Sequence, residues 1–240
     1  MRGWKGRIGT VSPTYCDNAQ DWLQPLPEGV NVLFATLGVE EHTPQEFQQA
    51  KEVVGRAARG LIRAGIDVLI LGGTPLVTLD QGEGTSGLAQ ELEKESGVPV
   101  TTSQDAAVLA LRSLGIKRLL LATPYKESLN EGLKRYLEKL GFQVLALKSA
   151  LCKGPREIGQ LPPETSYRLA KDAFRECPQA DGIYLPNTKW ETMGTIGPLE
   201  RELKVPVVTS IQASVWWGLK TMRVKEAKPG YGRLLENLHG

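Results

Sequence analysis

Three strand-like segments recur in the same order along this chain, and that recurrence restricts the fold more than any other feature. Arg7–Pro13 is matched by Arg118–Pro124, Asp67–Thr74 by Asp181–Thr188 and Val98–Ser103 by Val205–Ser210, at offsets of 111, 114 and 107 residues. In the second pair, Asp67-Val-Leu-Ile-Leu-Gly-Gly-Thr-Pro75 and Asp181-Gly-Ile-Tyr-Leu-Pro-Asn-Thr-Lys189 open on Asp and cross a short apolar run. Both then break into small, turn-forming or polar residues. A short apolar run bounded in this way reads as a buried strand of a parallel sheet, whose carboxyl end presents a loop. The pattern predicts an α/β chain of two pseudosymmetric lobes. Each has a central, mostly parallel sheet flanked by helices, and a cleft lies between the lobes. The first lobe is expected to comprise 1–114 with the C-terminal 210–240, and the second 115–209.

Punctuation between the strands supports this layout. Thr43, Pro44 and Glu46 read as a capping box opening a helix that runs to about Ala64, with Phe47, Val54, Leu61 and Ile62 among its buried positions. Gly65 stops it. Further helices are expected around Leu88 and Leu92, over Ala106–Leu114, Asn130–Leu140, Glu164–Glu176 and Thr195–Leu203, and from Ser214 to Met222. Lys153–Pro163 reads as a loop over the cleft or its rim, and the tail from Pro229 packs back across a lobe.

Composition removes several classes of function. The 240 residues are 41% hydrophobic and 23% charged, enough apolar content for a full core. Basic and acidic residues number 29 and 27, without long runs, so no nucleic-acid surface is marked. The basic start Met1–Arg7 lacks the apolar stretch of a signal peptide, and no window approaches a membrane span. The expected location is the cytoplasm. Three cysteines at no metal-like spacing and two histidines, His42 and His239, argue against a disulfide framework and a metal centre. The glycines from Gly82 to Gly87 form no phosphate loop, because no Lys-Ser or Lys-Thr completes them. No cofactor is expected, and a monomer or a homo-oligomer remains open.

Candidate chemistry lies at the strand ends. Thr10, Ser12, Thr14 and Asn18 follow the first strand; Thr123, Tyr125, Ser128 and Asn130 follow its counterpart. Neutral hydroxyls, amides and backbone N–H groups can hold a carboxylate without burying a lysine or arginine. Joined with Thr74 and Thr188, they would form an oxyanion or dioxyanion pocket. The competing view makes them helix caps and turn residues, and for Ser128 and Asn130 that view is preferred. His42 precedes a helix cap and could exchange protons near neutrality, or could simply face solvent. Lys189 and Glu191 could bind or transfer a proton, or form surface ion pairs. Cys16 sits in a loop where a thiolate is conceivable.

Taken together, Gly72-Gly-Thr-Pro-Leu76, Val98–Ser103, Ala122-Thr-Pro-Tyr125 with Asn130, Asp181-Gly-Ile, Val205–Ser210 and Lys228-Pro-Gly-Tyr-Gly-Arg-Leu234 resemble the aspartate/glutamate racemase superfamily. The likeness runs nearly end to end and is greatest to its arylmalonate decarboxylase and maleate cis-trans isomerase branch. The resemblance implies a two-lobe fold and cofactor-independent chemistry on a small carboxylic acid. It also implies one cysteine per lobe in racemases and isomerases, and a second-lobe cysteine alone in the decarboxylase. Those two positions are Gly73 and Asn187 here, so both thiols are missing. Asparagine has no usable acid or base near neutral pH, but it can hydrogen-bond a carboxylate. What the resemblance retains is a dioxyanion pocket of Thr74, Tyr125 and Thr188, with Pro75 where the decarboxylase has a hydroxyl. His42 matches a residue lining the decarboxylase pocket. Two readings follow. One is an atypical lyase or isomerase for a small carboxylic or dicarboxylic acid, with His42 and Asn187 as catalytic candidates and Ser12, Thr74, Pro75, Tyr125, Asn187 and Thr188 binding substrate. The other is a catalytically silent carboxylate-binding protein of the same fold.

Overall fold

The computed structural model describes residues 3–40, 43–73, 83–226 and 228–238. Two four-stranded sheets organise the chain. The first contains β1 (Gly6–Ser12), β2 (Val30–Thr36), β3 (Val68–Leu71) and β4 (Val100–Thr102) in the order β2-β1-β3-β4. The second contains β5 (Arg118–Tyr125), β6 (Gln143–Cys152), β7 (Gly182–Leu185) and β8 (Val207–Thr209) in the order β6-β5-β7-β8. Every pairing is parallel. The two lobes are therefore pseudosymmetric, and each predicted recurrence falls on a matching strand. Parallel neighbours need crossover helices, which cover both faces and explain why β3 and β7 are buried along their whole length.

The helices are α1 (Ala19–Leu23), α2 (Pro44–Arg63), α3 (Glu83–Ser96), α4 (Ser103–Ser113), α5 (Glu127–Lys139), α6 (Pro155–Gly159), α7 (Glu164–Glu176), α8 (Ile196–Leu203), α9 (Ser210–Thr221) and α10 (Arg233–Glu236). In α2, Thr43 accepts from Glu46 N–H at 3.3 Å, but the Glu46 carboxylate turns to Glu40 N–H at 3.0 Å rather than completing the expected box. Val54 and Leu61 are buried and Ile62 is half-buried; the Phe47 side chain lies outside the described residues. Helices α4, α5 and α9 begin three to four residues before their expected starts. Their apolar periodicity sets in late, whereas Thr102 and Thr209 cap α4 and α9 at once through Asp105 and Gln212 N–H. The expected loop at 153–163 contains α6, opened by Pro155 at its first turn.

Packing alternates along each strand. On β3, Val68 and Ile70 join a large core that also contains the second sheet, whereas Leu69 and Leu71 face a separate cluster with Val54, Ala58 and Leu61 of α2 and Ala89 and Leu92 of α3. The lobes share the large core because α4 and α9 reach across. Gln104 at the start of α4 accepts from Tyr184 OH of β7 at 3.2 Å. Gly218 of α9 lies so close to β1 that a Cβ there would sit 3.0 Å from Ile8 Cδ1. No helix among the described residues is long and apolar enough to cross a membrane.

Candidate active site

Strand order fixes where the ligand-facing loops gather. In the first sheet β1 passes to β2 on one side and has β3 on the other; β5, β6 and β7 repeat that arrangement. Successive connections thus leave in opposite directions, which opens a crevice beyond the carboxyl ends of the central strands. Ser12 ends β1 and Tyr125 ends β5; Gly72 and Gly73 follow β3; Pro186, Asn187 and Thr188 follow β7. These expected residues occupy equivalent edges of the two sheets. Thr74, Pro75 and His42 lie outside the described residues.

Close approach shapes the first edge. Gly72 N–H donates to the Val11 carbonyl at 2.7 Å, and a Cβ at 72 would stand 2.8 Å from that oxygen and 3.5 Å from Ser12 Cα. Gly73 then takes φ +112°. Asn187, the equivalent position, takes φ +96°. Glycine adopts such values freely and asparagine is among the few others found there. The asparagine is held by its own loop: Oδ1 accepts from Lys189 N–H at 2.5 Å and Trp190 N–H at 3.2 Å. Its backbone N–H donates to Ser210 Oγ at 3.0 Å, and that hydroxyl lies 3.1 Å from Tyr184 OH. Ser210 was not singled out from the sequence, although it closes the Val205–Ser210 repeat.

Tyr125 is buried, and its backbone is clamped. Its carbonyl accepts from Asn130 Nδ2 at 2.9 Å and Ser149 Oγ at 2.5 Å, while Thr123 Oγ1 accepts from Tyr125 N–H at 3.4 Å. Asn130 is therefore not the cap expected for α5. Lys126 holds that position without a side-chain cap, and Asn130 lies in the helix and reaches back to the strand end. Ser128 is likewise inside α5.

The loops following β1 and β7 meet across the cleft. Asn18 Nδ2 donates to the Thr188 carbonyl at 2.7 Å, so the Thr188–Lys189 peptide is held by Asn18 on one side and Asn187 on the other. Neither takes the Thr188 N–H. The Lys189 ammonium pairs with the Asp17 carboxylate, lies 3.5 Å from the Tyr15 ring centre and donates to the Tyr15 carbonyl at 3.4 Å. Only 5% of that side chain is exposed, so its charge is committed to the clasp. The Cys16 thiol donates to Asn18 Oδ1 at 3.8 Å. Burial pushes its pKa up against the pull of Lys189, which keeps it a thiol rather than the thiolate considered from the sequence. Burial also raises Asp21, against the hydrogen bond from Asn18. Burial raises Cys152 at the end of β6, with Glu157 adding to the shift. Among the described residues, no three or more His, Cys, Asp or Glu side chains are grouped to hold a metal ion.

Two parallel sheets meeting at their carboxyl edges around neutral polar loops define a protein of the aspartate/glutamate racemase superfamily. The chain belongs to the arylmalonate decarboxylase family, whose model matches residues 11–235. It is 32% identical over 201 residues to the arylmalonate decarboxylase of Bordetella bronchiseptica, covering 83% of this chain and 84% of that one. A liganded crystal structure of a doubly substituted arylmalonate decarboxylase superposes with a TM-score of 0.89 at 30% identity, covering 96% of this chain and 99% of the other. The Nocardia farcinica maleate cis-trans isomerase, solved with a covalently bound succinylcysteine intermediate, shares the fold with a TM-score of 0.85. It is 21% identical, over 96% and 98% of the two chains. Within this family the chain departs at the second-lobe thiol position, which carries Asn187, whereas Gly73 at the first-lobe position agrees with the glycine of the decarboxylase.

Proposed function

We propose that the protein is an atypical, cofactor-independent lyase or isomerase that acts on a small carboxylic or dicarboxylic acid. The observation that carries this reading is the Thr188 peptide. Asn18 and Asn187 fix the peptide that follows it, Tyr125 ends the neighbouring strand, and the Lys189 ammonium is bound to Asp17. The Thr188 N–H beside this fixed peptide, together with the Tyr125 phenol from the clamped end of β5, would suit a carboxylate whose neighbouring carbon gains enediolate-like charge. Thr74 would add a hydroxyl, and Ser12 and Pro75 would border the carboxylate. Asn187 would orient substrate rather than move a proton, since its side-chain oxygen already accepts from its own loop. His42 would then exchange the proton that a thiol exchanges elsewhere in the family.

The commitment of Asn187 Oδ1 also favours a second reading, a carboxylate-binding protein without turnover. Proton NMR in deuterated buffer separates the two, with malonates, maleate, hydroxy acids and oxo acids offered to wild type, His42→Ala and Tyr125→Phe. Turnover or deuterium incorporation that both substitutions abolish is expected. Turnover indifferent to His42→Ala removes histidine from the mechanism, and binding without exchange across the panel leaves the silent pocket.

A further inference from the structure

Two buried polar side chains are not explained by the fold. Tyr184 of β7 and Gln104 of α4 are both wholly buried, and the Tyr184 hydroxyl donates to Gln104 Oε1 at 3.2 Å across the seam between the lobes. Their counterparts in the repeat are Ile70, 114 residues before Tyr184, and Ile211, 107 residues after Gln104. Both isoleucines are wholly buried as well. The same molecule therefore fills each position with an apolar side chain in the other lobe, so packing alone does not require a phenol and an amide here. Stability argues against them too. Gln104 Nε2 has no hydrogen-bond partner among the described residues, and a buried, half-satisfied amide is destabilising.

What the pair does is orient a hydroxyl. Ser210 Oγ lies 3.1 Å from the Tyr184 oxygen and accepts from Asn187 N–H at 3.0 Å. A phenol has one hydrogen, and Gln104 takes it, so the Ser210 O–H donates to the Tyr184 oxygen. The serine is left with its lone pairs toward Asn187 N–H, and each bond of the chain polarises the next. Asn187 is thereby held at its N–H by this chain and at Oδ1 by Lys189 and Trp190 N–H. The Asn187–Thr188 peptide, which carries the Thr188 N–H, lies between those attachments. The first lobe has no such chain among the described residues: Ser103, the counterpart of Ser210, is wholly buried, and its Oγ has no partner there.

We propose that Tyr184 and Gln104 are positioning residues for the anion-binding peptide: through Ser210 they set the direction of the Thr188 N–H. Gln104 belongs to the first lobe and Thr188 to the second, so the chain also makes the anion site of one lobe depend on how the other is seated. What the peptide holds rests on the carboxylate reading above; how it is held rests on these hydrogen bonds alone.

Amide NMR of the full chain tests this in wild type, Tyr184→Phe, Gln104→Met and Ser103→Ala. The first two each remove one link at nearly constant volume, and Gln104→Met carries the test should Tyr184→Phe not fold. Ser103→Ala deletes a buried hydroxyl that holds nothing and is the control. Hydrogen exchange at Asn187 N–H should accelerate about fivefold in both chain variants, the scale of one neutral hydrogen bond. Acetate binding, read at the Thr188 N–H, should weaken about fivefold with it. Ser103→Ala should leave both as in wild type. Exchange and affinity indifferent to the chain variants, or changed equally by Ser103→Ala, overturn the proposal. So does exchange that rises evenly along β7 and β8 without a separate effect at Asn187, the mark of a merely structural loss. Faster Asn187 exchange with unaltered acetate affinity overturns it as well, because other bonds would then set the Thr188 N–H. Should acetate not bind wild type, the carboxylate reading fails, and Asn187 exchange with the Thr188 amide shift decides positioning alone: moved by the chain variants, it stands; unmoved, it falls.

Discussion

In the first lobe Asp67 accepts from Arg7 N–H at 2.8 Å, and its own N–H returns to the Arg7 carbonyl at 2.8 Å; in the second, Asp181 accepts from Arg118 N–H at 2.7 Å and donates to the Arg118 carbonyl at 2.8 Å. The same aspartate thus sets the register of the two central strands twice. The arginines differ. Arg7 caps the end of α2 at the Ala64 and Gly65 carbonyls, whereas Arg118 turns to Asp181 and holds its carboxyl down to about 2. Beyond the strands the lobes diverge further. Position 73 is a bare glycine, and its counterpart Asn187 is bound into its own loop. Frame residues repeat because both sheets face one geometric problem; edge residues differ because the two halves of the cleft hold different things.

Substitution at Asn187 breaks that comparison most severely. Asn187→Ala removes the acceptor of two buried N–H groups and leaves a β-carbon at φ +96°. Urea unfolding should show a loss of about 3 kcal/mol, since each buried donor left without a partner costs about 1–3 kcal/mol. Asn187→Gly makes the lobes alike and relieves the backbone, so it should lose about 1 kcal/mol less. Gly73→Ala, at φ +112° but with no side-chain bond to lose, should cost about 1–2 kcal/mol. An Asn187→Gly protein as stable as wild type would show that the hydrogen bonds to Lys189 and Trp190 contribute nothing.

A second pair sharpens the contrast through burial. Glu93 Oε2 accepts from Val100 N–H at 3.1 Å and Glu200 Oε1 from Val207 N–H at 2.9 Å, 107 residues later. Glu93 is exposed. Glu200 is buried beneath the C-terminal tail, whose Arg233 N–H donates to Oε2 at 2.9 Å. Glu200→Ala strands both donors and should cost about 2 kcal/mol, against less than about 1 kcal/mol for Glu93→Ala. Burial raises the Glu200 pKa, against the two N–H bonds. A raised carboxyl holds its proton more tightly folded than unfolded, so its ionisation lowers stability as pH rises from the ordinary carboxylate value through the folded one. Stability of wild type relative to Glu200→Gln should fall across that window and be level below it. Wild-type stability that instead rises relative to Glu200→Gln as pH rises through that window would reverse the sign and reject the burial account.

The frame was legible because its causes are local. Apolar runs opening on Asp, Thr caps and stop glycines each imply an element without reference to partners, and repetition tied the elements into two lobes. The cleft was legible only by address. Tyr125, Asn187 and Thr188 stand at strand ends as their motifs imply, but their partners come from afar: Asn18 is 170 residues from Thr188, and Asp17 is 172 from Lys189. No pattern along the chain encodes such a meeting. Asn130 was misread as a cap for the same reason, because its bond to the Tyr125 carbonyl depends on how strand and helix pack, and a short-range rule applies whether or not that bond exists.

The smallest expected effect tests whether the lobes behave as independent copies. Gly97 ends α3 at φ +71°, and Lys204, 107 residues on, ends α8 at φ +64° with ψ +9°. A β-carbon in this left-handed region costs about 1–2 kcal/mol. Glycine avoids that cost but frees the unfolded chain by about 0.5–1 kcal/mol. The Lys204 side chain is exposed, and the bonds at this cap are backbone ones: its N–H donates to the Glu200 carbonyl and its carbonyl accepts from Arg233. Lys204→Gly should therefore stabilise by about 0.5 kcal/mol, a small upward shift in Tm. Gly97→Ala should destabilise the other lobe by a comparable amount. Combined, the two should nearly cancel if the copies are independent, since distant sites add to within about 0.5 kcal/mol. A larger residual would place the coupling in the core the lobes share through α4 and α9.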